Sequence, residues 1–305
     1  MKTTNTPLVS VVLITYNSAK FVIESLESVK AQTWKNIELV VSDDGSTDHS
    51  VQLCSDWLEV NKSHFFATKL ITVPQNTGIP SNNNRGLRAA TGDWIKTLSG
   101  DDNLMENCIV DNLEYAWQFP EASFITSDVR EIDEDSMLIR DRVINDAVIF
   151  FTNLPSAEEQ LKNYSRWPAF LNTPAFFCKR EVWKMADYCD EEFRIYDDMT
   201  AVFRIMGKGV KLYYMNKPTV EYRVSPNSIS RSEKVNDIRE NEAYRIFKKY
   251  QTKHLNIFNP FDLSIYYENW LRFKYKGFKG HKGISYLRKL NLYYWYMRFK
   301  GVKSY

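Results

Sequence analysis

Val9-Ser-Val-Val-Leu-Ile-Thr15 is β-branched and almost continuously apolar, and Ile37-Glu-Leu-Val-Val-Ser42 repeats the pattern. Such runs suit strands buried on both faces of a parallel sheet, where helices cover both sides and the polar alternation is lost. Between them, residues 19–32 carry Val22, Leu26 and Val29 at i, i+4 and i+7, the spacing of one helix face. A second helix is expected up to about residue 60, with Ser46 or Thr47 as its cap. Residues 69–73 and 93–98 read as two more strands, with a helix over 81–90 between them. Strands and helices in alternation imply an α/β architecture, a mostly parallel sheet with right-handed crossovers.

Beyond this core, residues 124–142 read as a strand with polar turns, and 172–178, 210–214 and 219–223 as strands. Residues 180–186 and 199–206 read as helices, while 146–167 fits either a loop or a helix over the site. After Pro226 the pattern changes to long helical periodicity. The expected organisation is therefore a domain over 1–230 and a helical extension over 231–305.

The composition excludes several classes. A 44% apolar fraction in 305 residues supports a packed core, and 11 Gly with 10 Pro rule out collagen-like chains. No apolar run approaches the ~18 residues of a membrane-spanning helix. The net charge of +2 does not favour a nucleic-acid partner. The start lacks the basic and apolar regions of a signal peptide, and the four cysteines have no CxxC spacing. Reduced, mostly buried thiols in a cytoplasmic protein are the expectation. The histidines (His49, His64, His254, His281) show no metal-ligand spacing.

In open α/β sheets, ligands bind beyond the carboxyl ends of the strands. Here those ends carry Thr15-Tyr16-Asn17, Asp43-Asp44 and Asp101-Asp102. Adjacent carboxylates are costly unless a cation neutralises them, and oxygen ligands suit Mg²⁺ or Mn²⁺. Alone, Asp101-Asp102 would read as a solvated turn; its place at the same edge as Asp43-Asp44 favours a metal site. Asp43-Asp44-Gly45-Ser46 fits a turn and helix cap, yet leaves a carboxylate to accept the imide N–H of a uracil. Tyr16 is either a stacking platform for a base or a rim aromatic. In Tyr196-Asp197-Asp198-Met199, one Asp can cap the following helix and the other can act as general base.

Together these stretches resemble the family 2 glycosyltransferases of GT-A fold. Val9 to Asn17, Ser28-Val-Lys-Ala-Gln-Thr33, Val41-Ser-Asp-Asp-Gly-Ser-Thr-Asp48, Asn76-Thr-Gly78, Asn84-Arg-Gly86, Ala90-Thr-Gly-Asp-Trp-Ile95 and Leu98-Ser-Gly-Asp-Asp102 follow the family's order. Asp197-Asp198 with Arg204, then Tyr222-Arg223 and Ser228-Ile-Ser230, match its later motifs. The resemblance implies an inverting transfer from a nucleotide sugar, most simply a UDP-sugar, to a glycan or lipid-linked glycan in surface-polysaccharide synthesis. It places Thr15, Tyr16 and Asp44 at the base, with Asp43 as a neighbour, Asn17, Asn84 and Arg85 among the nucleotide-binding candidates and Glu24 in support. It places Asp101 at the ribose, Asp102, with Asp101 beside it, on a Mg²⁺ or Mn²⁺ ion, and Asp198 as the base. Three positions depart from the family. Arg85 follows Asn84 where the family often has Arg-Asn, Ser225 stands where a His is usual, and Asp197 replaces a Glu. A nucleotidyltransferase would also use sheet-edge carboxylates, but the chain lacks a Gly- and Lys/Arg-rich phosphate loop. A binding module without turnover is the reading from a different class.

Residues 262–305 hold ten Lys/Arg and two Asp/Glu, a net of +8, so the rest of the chain carries −6. Leu263, Tyr266, Tyr267, Trp270 and Leu271 fall at helical spacing, as do Tyr286, Leu287, Leu290, Tyr293, Tyr294 and Met297. Basic helices rich in Trp and Tyr suit peripheral contact with an anionic membrane at its inner face, plain packing as a helical cap, or, least favoured, a nucleic-acid tail with stacking aromatics.

Overall fold

The computed structural model describes residues 6–143, 146–167, 171, 173–225, 236–275 and 284–299. The chain divides into two compact units, one of residues 1–160 and 169–225, the other of residues 161–168 and 226–305. The expected boundary at 230/231 lies outside the described residues, as does the 228–230 motif.

The first unit is built on a mixed sheet. Its strands are β1 (Val9–Thr15), β2 (Ile37–Asp43), β3 (Ala67–Thr72), β4 (Trp94–Ser99), β5 (Asn103–Leu104), β6 (Phe124–Ile132), β7 (Leu138–Val143), β8 (Phe177–Lys179) and β9 (Tyr213–Arg223). The order is β3-β2-β1-β4-β8-β6-β9-β5, with β7 paired to β6. β1, β2, β3 and β4 run parallel, while β8 pairs antiparallel to β4 and to β6. Val9, Val11, Val12 and Leu13 are wholly buried, as an apolar run covered on both faces requires.

Helices α1 (Val22–Lys30), α2 (Ser50–Asn61), α3 (Ile79–Ala89) and α4 (Cys108–Gln118) flank the sheet. The 146–167 stretch is helical, as α5 (Asp146–Thr152) and α6 (Ala157–Arg166). Then come α7 (Arg180–Ala186) and α8 (Asp197–Gly207). All four cysteines are free and buried.

Several expectations need correction. Neither Ser46 nor Thr47 caps α2: the helix starts at Ser50, and Asp48 accepts the Ser50 N–H instead (2.9 Å). The expected strand at 172–178 is a 3₁₀ turn at Thr173–Ala175 before the short β8; Asn172 itself is outside the described residues. Its carbonyls serve side chains rather than a ladder, Thr173 O accepting from Thr97 Oγ1 (2.6 Å) and Pro174 O from the buried Lys96 Nζ (2.5 Å). The two strands expected at 210–214 and 219–223 are one, β9. Pro218 is carried where the register against β6 shifts, which spares a ladder bond it could not make. Helix α8 begins at Asp197, so both acids of the late motif lie in its first turn rather than before it.

In the second unit, α9 (Asn236–Ile246), α10 (Pro260–Lys274), α11 (Ile284–Arg288) and α12 (Leu292–Phe299) are its main helices. Asn259 caps α10, accepting the Phe261 and Asp262 N–H groups. The Arg166 guanidinium grips the buried Asp262 carboxylate with two bonds of 2.7 Å, and Trp167 stacks on Tyr293 and Tyr296. The expected apolar stripe is split: Leu271 is buried, whereas Leu263, Trp270, Leu287 and Leu290 are exposed. No helix among the described residues is long and apolar enough to cross a membrane.

Candidate functional site

The parallel register sets Thr15 at the end of β1 beside Asp43 at the end of β2. Thr15 O accepts the Asp44 N–H (3.0 Å) and Asn82 Nδ2 of α3 (3.1 Å), while its Oγ1 is buried without a partner among the described residues. Tyr16 is 42% exposed, leaving ring surface for stacking. Asn17 has a left-handed φ of 51° and joins two loops, accepting the Thr47 N–H and donating its own N–H to Ser46 Oγ, each at 2.8 Å.

The neighbouring acids differ in what they touch. Asp43 accepts the N–H groups of Gly45 and Ser46 and the Ser46 hydroxyl, so it closes its own turn. Asp44 accepts from Thr77 N, Thr77 Oγ1, Gly78 N and Arg85 Nη2, the last at 2.6 Å. Burial raises its pKa, but these bonds outweigh that and hold the carboxyl below its ordinary range. Arg85 Nε is buried without a partner among the described residues. Asn84 turns to residues 189–191, exchanging bonds with the Cys189 backbone and donating to Glu191.

At the end of β4, Gly100 permits a close approach: a Cβ there would lie 3.1 Å from Thr15 Cβ and Oγ1. Asp102 follows, only 1% exposed, and Asp101 is partly exposed. Burial pushes both carboxyls above the ordinary range, and the Asp101 charge pushes Asp102 further. Asp102 Oδ1 accepts the Arg223 N–H (2.8 Å) at the end of β9. Glu24, on α1, accepts from Asn103 Nδ2 (2.8 Å), Ser136 Oγ (2.6 Å) and Arg223 Nη2 (2.7 Å), so it braces this turn.

The chemistry of the turn fits a divalent metal. A buried and a partly exposed carboxylate that both resist ionisation would gain from a cation, and Mg²⁺ sites commonly pair one or two carboxylates with substrate phosphates. No group of three or more His, Cys, Asp or Glu converges as a metal cage among the described residues. Ser225, at the position of the usual His, donates its hydroxyl to Glu134.

Asp197 and Asp198 open α8. Asp197 is buried and accepts from Asn83 Nδ2 (2.7 Å) and Thr173 Oγ1 (2.9 Å). Asp198 accepts the Met199 N–H (2.6 Å) and keeps partial exposure. Burial first, and the Asp197 charge second, raise the Asp198 carboxyl well above its ordinary range. That suits a proton acceptor.

Sequence reasoning missed the supporting residues Asn82, Asn83, Thr173 and Lys96. Their polarity within apolar or helical runs was the available signal. Arg223 stood within a quoted motif but without a role.

The molecule is similar to known glycosyltransferases. Glycosyltransferase GlyG of Streptococcus pneumoniae serotype 4 is 25% identical over 232 residues, 74% of each chain. Among solved structures, Staphylococcus aureus TarS 1–349 in complex with UDP-GlcNAc superposes with a TM-score of 0.63 at 17% identity, covering 92% of this chain and 78% of that one. The mannosyltransferase PcManGT from Pyrobaculum calidifontis, solved with GDP-Man and Mn²⁺, gives 0.62 at 17% identity, over 97% and 79%. The sheet order and flanking helices are those of the GT-A fold. With the glycosyl transferase family 2 model matching residues 10–183, more than half its length, the chain belongs to that family of glycosyltransferases.

Proposed function

We propose that the protein transfers a sugar, with inversion, from a nucleoside-diphosphate sugar to a hydroxyl of a glycan or lipid-linked glycan, as in surface-polysaccharide synthesis. A UDP-sugar is the favoured donor, and the acceptor would be met at the cytoplasmic face of a membrane. The observation that carries this reading is the Asp101-Asp102 turn, brought against Thr15 through Gly100 and left with two carboxyls that burial makes reluctant to ionise. A diphosphate and its counter-ion suit such a turn.

Each residue then has a task. Tyr16 stacks on the base, and Thr15 Oγ1 offers an unused polar contact. Asp44 serves the base end through Arg85, which it orients. Asp101 meets the ribose. Asp102, with Asp101 beside it, would hold a Mg²⁺ or Mn²⁺ ion, whose charge would stabilise the departing diphosphate. The Asp198 carboxylate takes the proton of the acceptor hydroxyl as that oxygen attacks the anomeric carbon. The bond to the diphosphate breaks, and the nucleoside diphosphate leaves with the electron pair.

The test is a thermal-shift panel of UDP, GDP, CDP and dTDP, each with and without Mn²⁺. A ligand at ~100 times its Kd should stabilise by about 2.7 kcal/mol. A UDP shift that needs metal supports the reading. A GDP or dTDP shift reassigns the donor, and no shift with any nucleotide refutes it.

A further inference from the structure

Arg223 has no part in the steps above, yet it is only 2% exposed and joins more of the candidate site than any of the acids discussed. It ends β9, which lies between β6 and β5, and so arrives beside the Asp101-Asp102 turn from 121 residues away. Its main-chain N–H holds Asp102 Oδ1, and its Nε donates to Asp101 O, both at 2.8 Å. Nη1 donates to Asp133 O (2.8 Å) and Ser136 Oγ (2.9 Å), in the turn between β6 and β7. Nη2 donates to Glu24 Oε2 (2.7 Å), and the guanidinium carbon lies 4.6 Å from the Phe21 ring centroid.

This arrangement uses what only arginine provides. A planar fork with five donors can grip three segments at once, and its weak hydration allows stacking on an aromatic ring. A lysine could keep the charge but not the three directions. The turn at 133–136 is bound to the same place by a second set of contacts, Glu134 accepting from Lys20 Nζ (2.9 Å) and from the Ser225 hydroxyl.

We propose that Arg223 is a positioning residue of the donor site. It fixes the Asp101-Asp102 turn and the 133–136 turn against each other, so that the carboxylates stand in place before metal and diphosphate arrive. This rests on the reading of that turn as the diphosphate end.

The experiment measures UDP binding by calorimetry with and without Mn²⁺, and Mn²⁺ binding alone, in the full chain. Residues that orient metal ligands from behind typically contribute 10–100-fold in metal affinity. Arg223→Lys should therefore fold, keep its metal-free UDP affinity, and lose roughly 10–100-fold in Mn²⁺ affinity and in Mn²⁺-dependent UDP binding. A residue that only stabilises the fold would lower Tm without this split. Unchanged Mn²⁺-dependent binding in folded Arg223→Lys, or an equal loss with and without Mn²⁺, overturns the proposal. Should that variant not fold, Glu24→Gln removes the ion pair and Ser136→Ala one hydrogen bond of the guanidinium, loosening its grip on the 133–136 turn while leaving Arg223 in place. Weakening confined to the Mn²⁺ arm then supports the role, and unchanged binding in both overturns it. If the unmodified protein binds UDP no better with Mn²⁺ than without, the diphosphate reading falls and takes this proposal with it. Failure in the variants alone spares that reading.

Discussion

Gly86 is where α3 comes closest to the sheet. A Cβ built there would lie 2.3 Å from Val12 Cγ1 on β1 and 3.6 Å from Ser42 Cβ on β2. Carbon atoms pack at about 3.5–4.0 Å, so Gly86→Ala requires the helix or Val12 to give by more than an ångström. Val12 is wholly buried and β-branched, with little rotamer freedom to yield. Overpacking of this kind costs about 1–3 kcal/mol, and the helix propensity of Ala over Gly returns ~1 kcal/mol. The expected net loss is at most about 2 kcal/mol, or a Tm lowered by no more than roughly 8 °C. The four residues before Gly86 include Asn82 and Arg85, which hold Thr15 O and Asp44, so a displaced α3 should also weaken nucleotide binding. Val12→Ala alone removes two buried methyl groups, at about 0.8 kcal/mol each plus a cavity cost. In the double variant the new methyl enters the space that Cγ1 left. Denaturant unfolding of the four proteins should show a favourable coupling within the ~0.5–3 kcal/mol range of touching residues. Additive losses would refute the helix–sheet contact and the placement of α3 that follows from it.

Further outcomes concern the Asp197–Asp198 pair and the C-terminal helices. The Asp198 carboxyl is raised by burial and by Asp197, and a general base must be ionised, so transfer should rise with pH through a value above the ordinary carboxylate range of about 4. Asp197→Asn removes the like charge and should move that limb of kcat/KM to lower pH, while Asp198→Asn should retain UDP binding and lose transfer. A limb that stays put in Asp197→Asn removes the coupling. The same raised pKa makes the stability from this acid full below its unfolded-state pKa, with loss as pH rises through the folded value. For the basic helices of 262–305, with Leu263, Trp270, Leu290, Leu292 and Trp295 exposed, flotation with anionic vesicles should recover the protein and fail with neutral ones. Recovery that survives 1 M salt, or equal recovery after removal of the segment, would sink the membrane role.

The sequence by itself determined the elements whose signal is local. Continuous β-branched runs marked β1 and β2 as doubly covered strands, and their spacing by helix-length segments made β1 to β4 parallel. Because ligands gather at the carboxyl edge of such a sheet, the place of Thr15, Asp44, Asp101 and Asp102 at the ends of β1, β2 and β4 made them candidates before any contact was known. Tertiary structure alone decided who partners whom. An apolar run says that a strand is buried, never which neighbour it has. The antiparallel insertion of β8 beside β4, and the course of β9 between β6 and β5, therefore had no local signature. Asp43 and Asp44 are adjacent acids of the same type, yet one closes its own turn and the other holds Thr77, Gly78 and Arg85. Arg223 reaches Asp102 across 121 residues for the same reason. A carboxylate's or guanidinium's role is set by the donors and acceptors that folding brings within about 3 Å, and that proximity is a property of the assembled sheet.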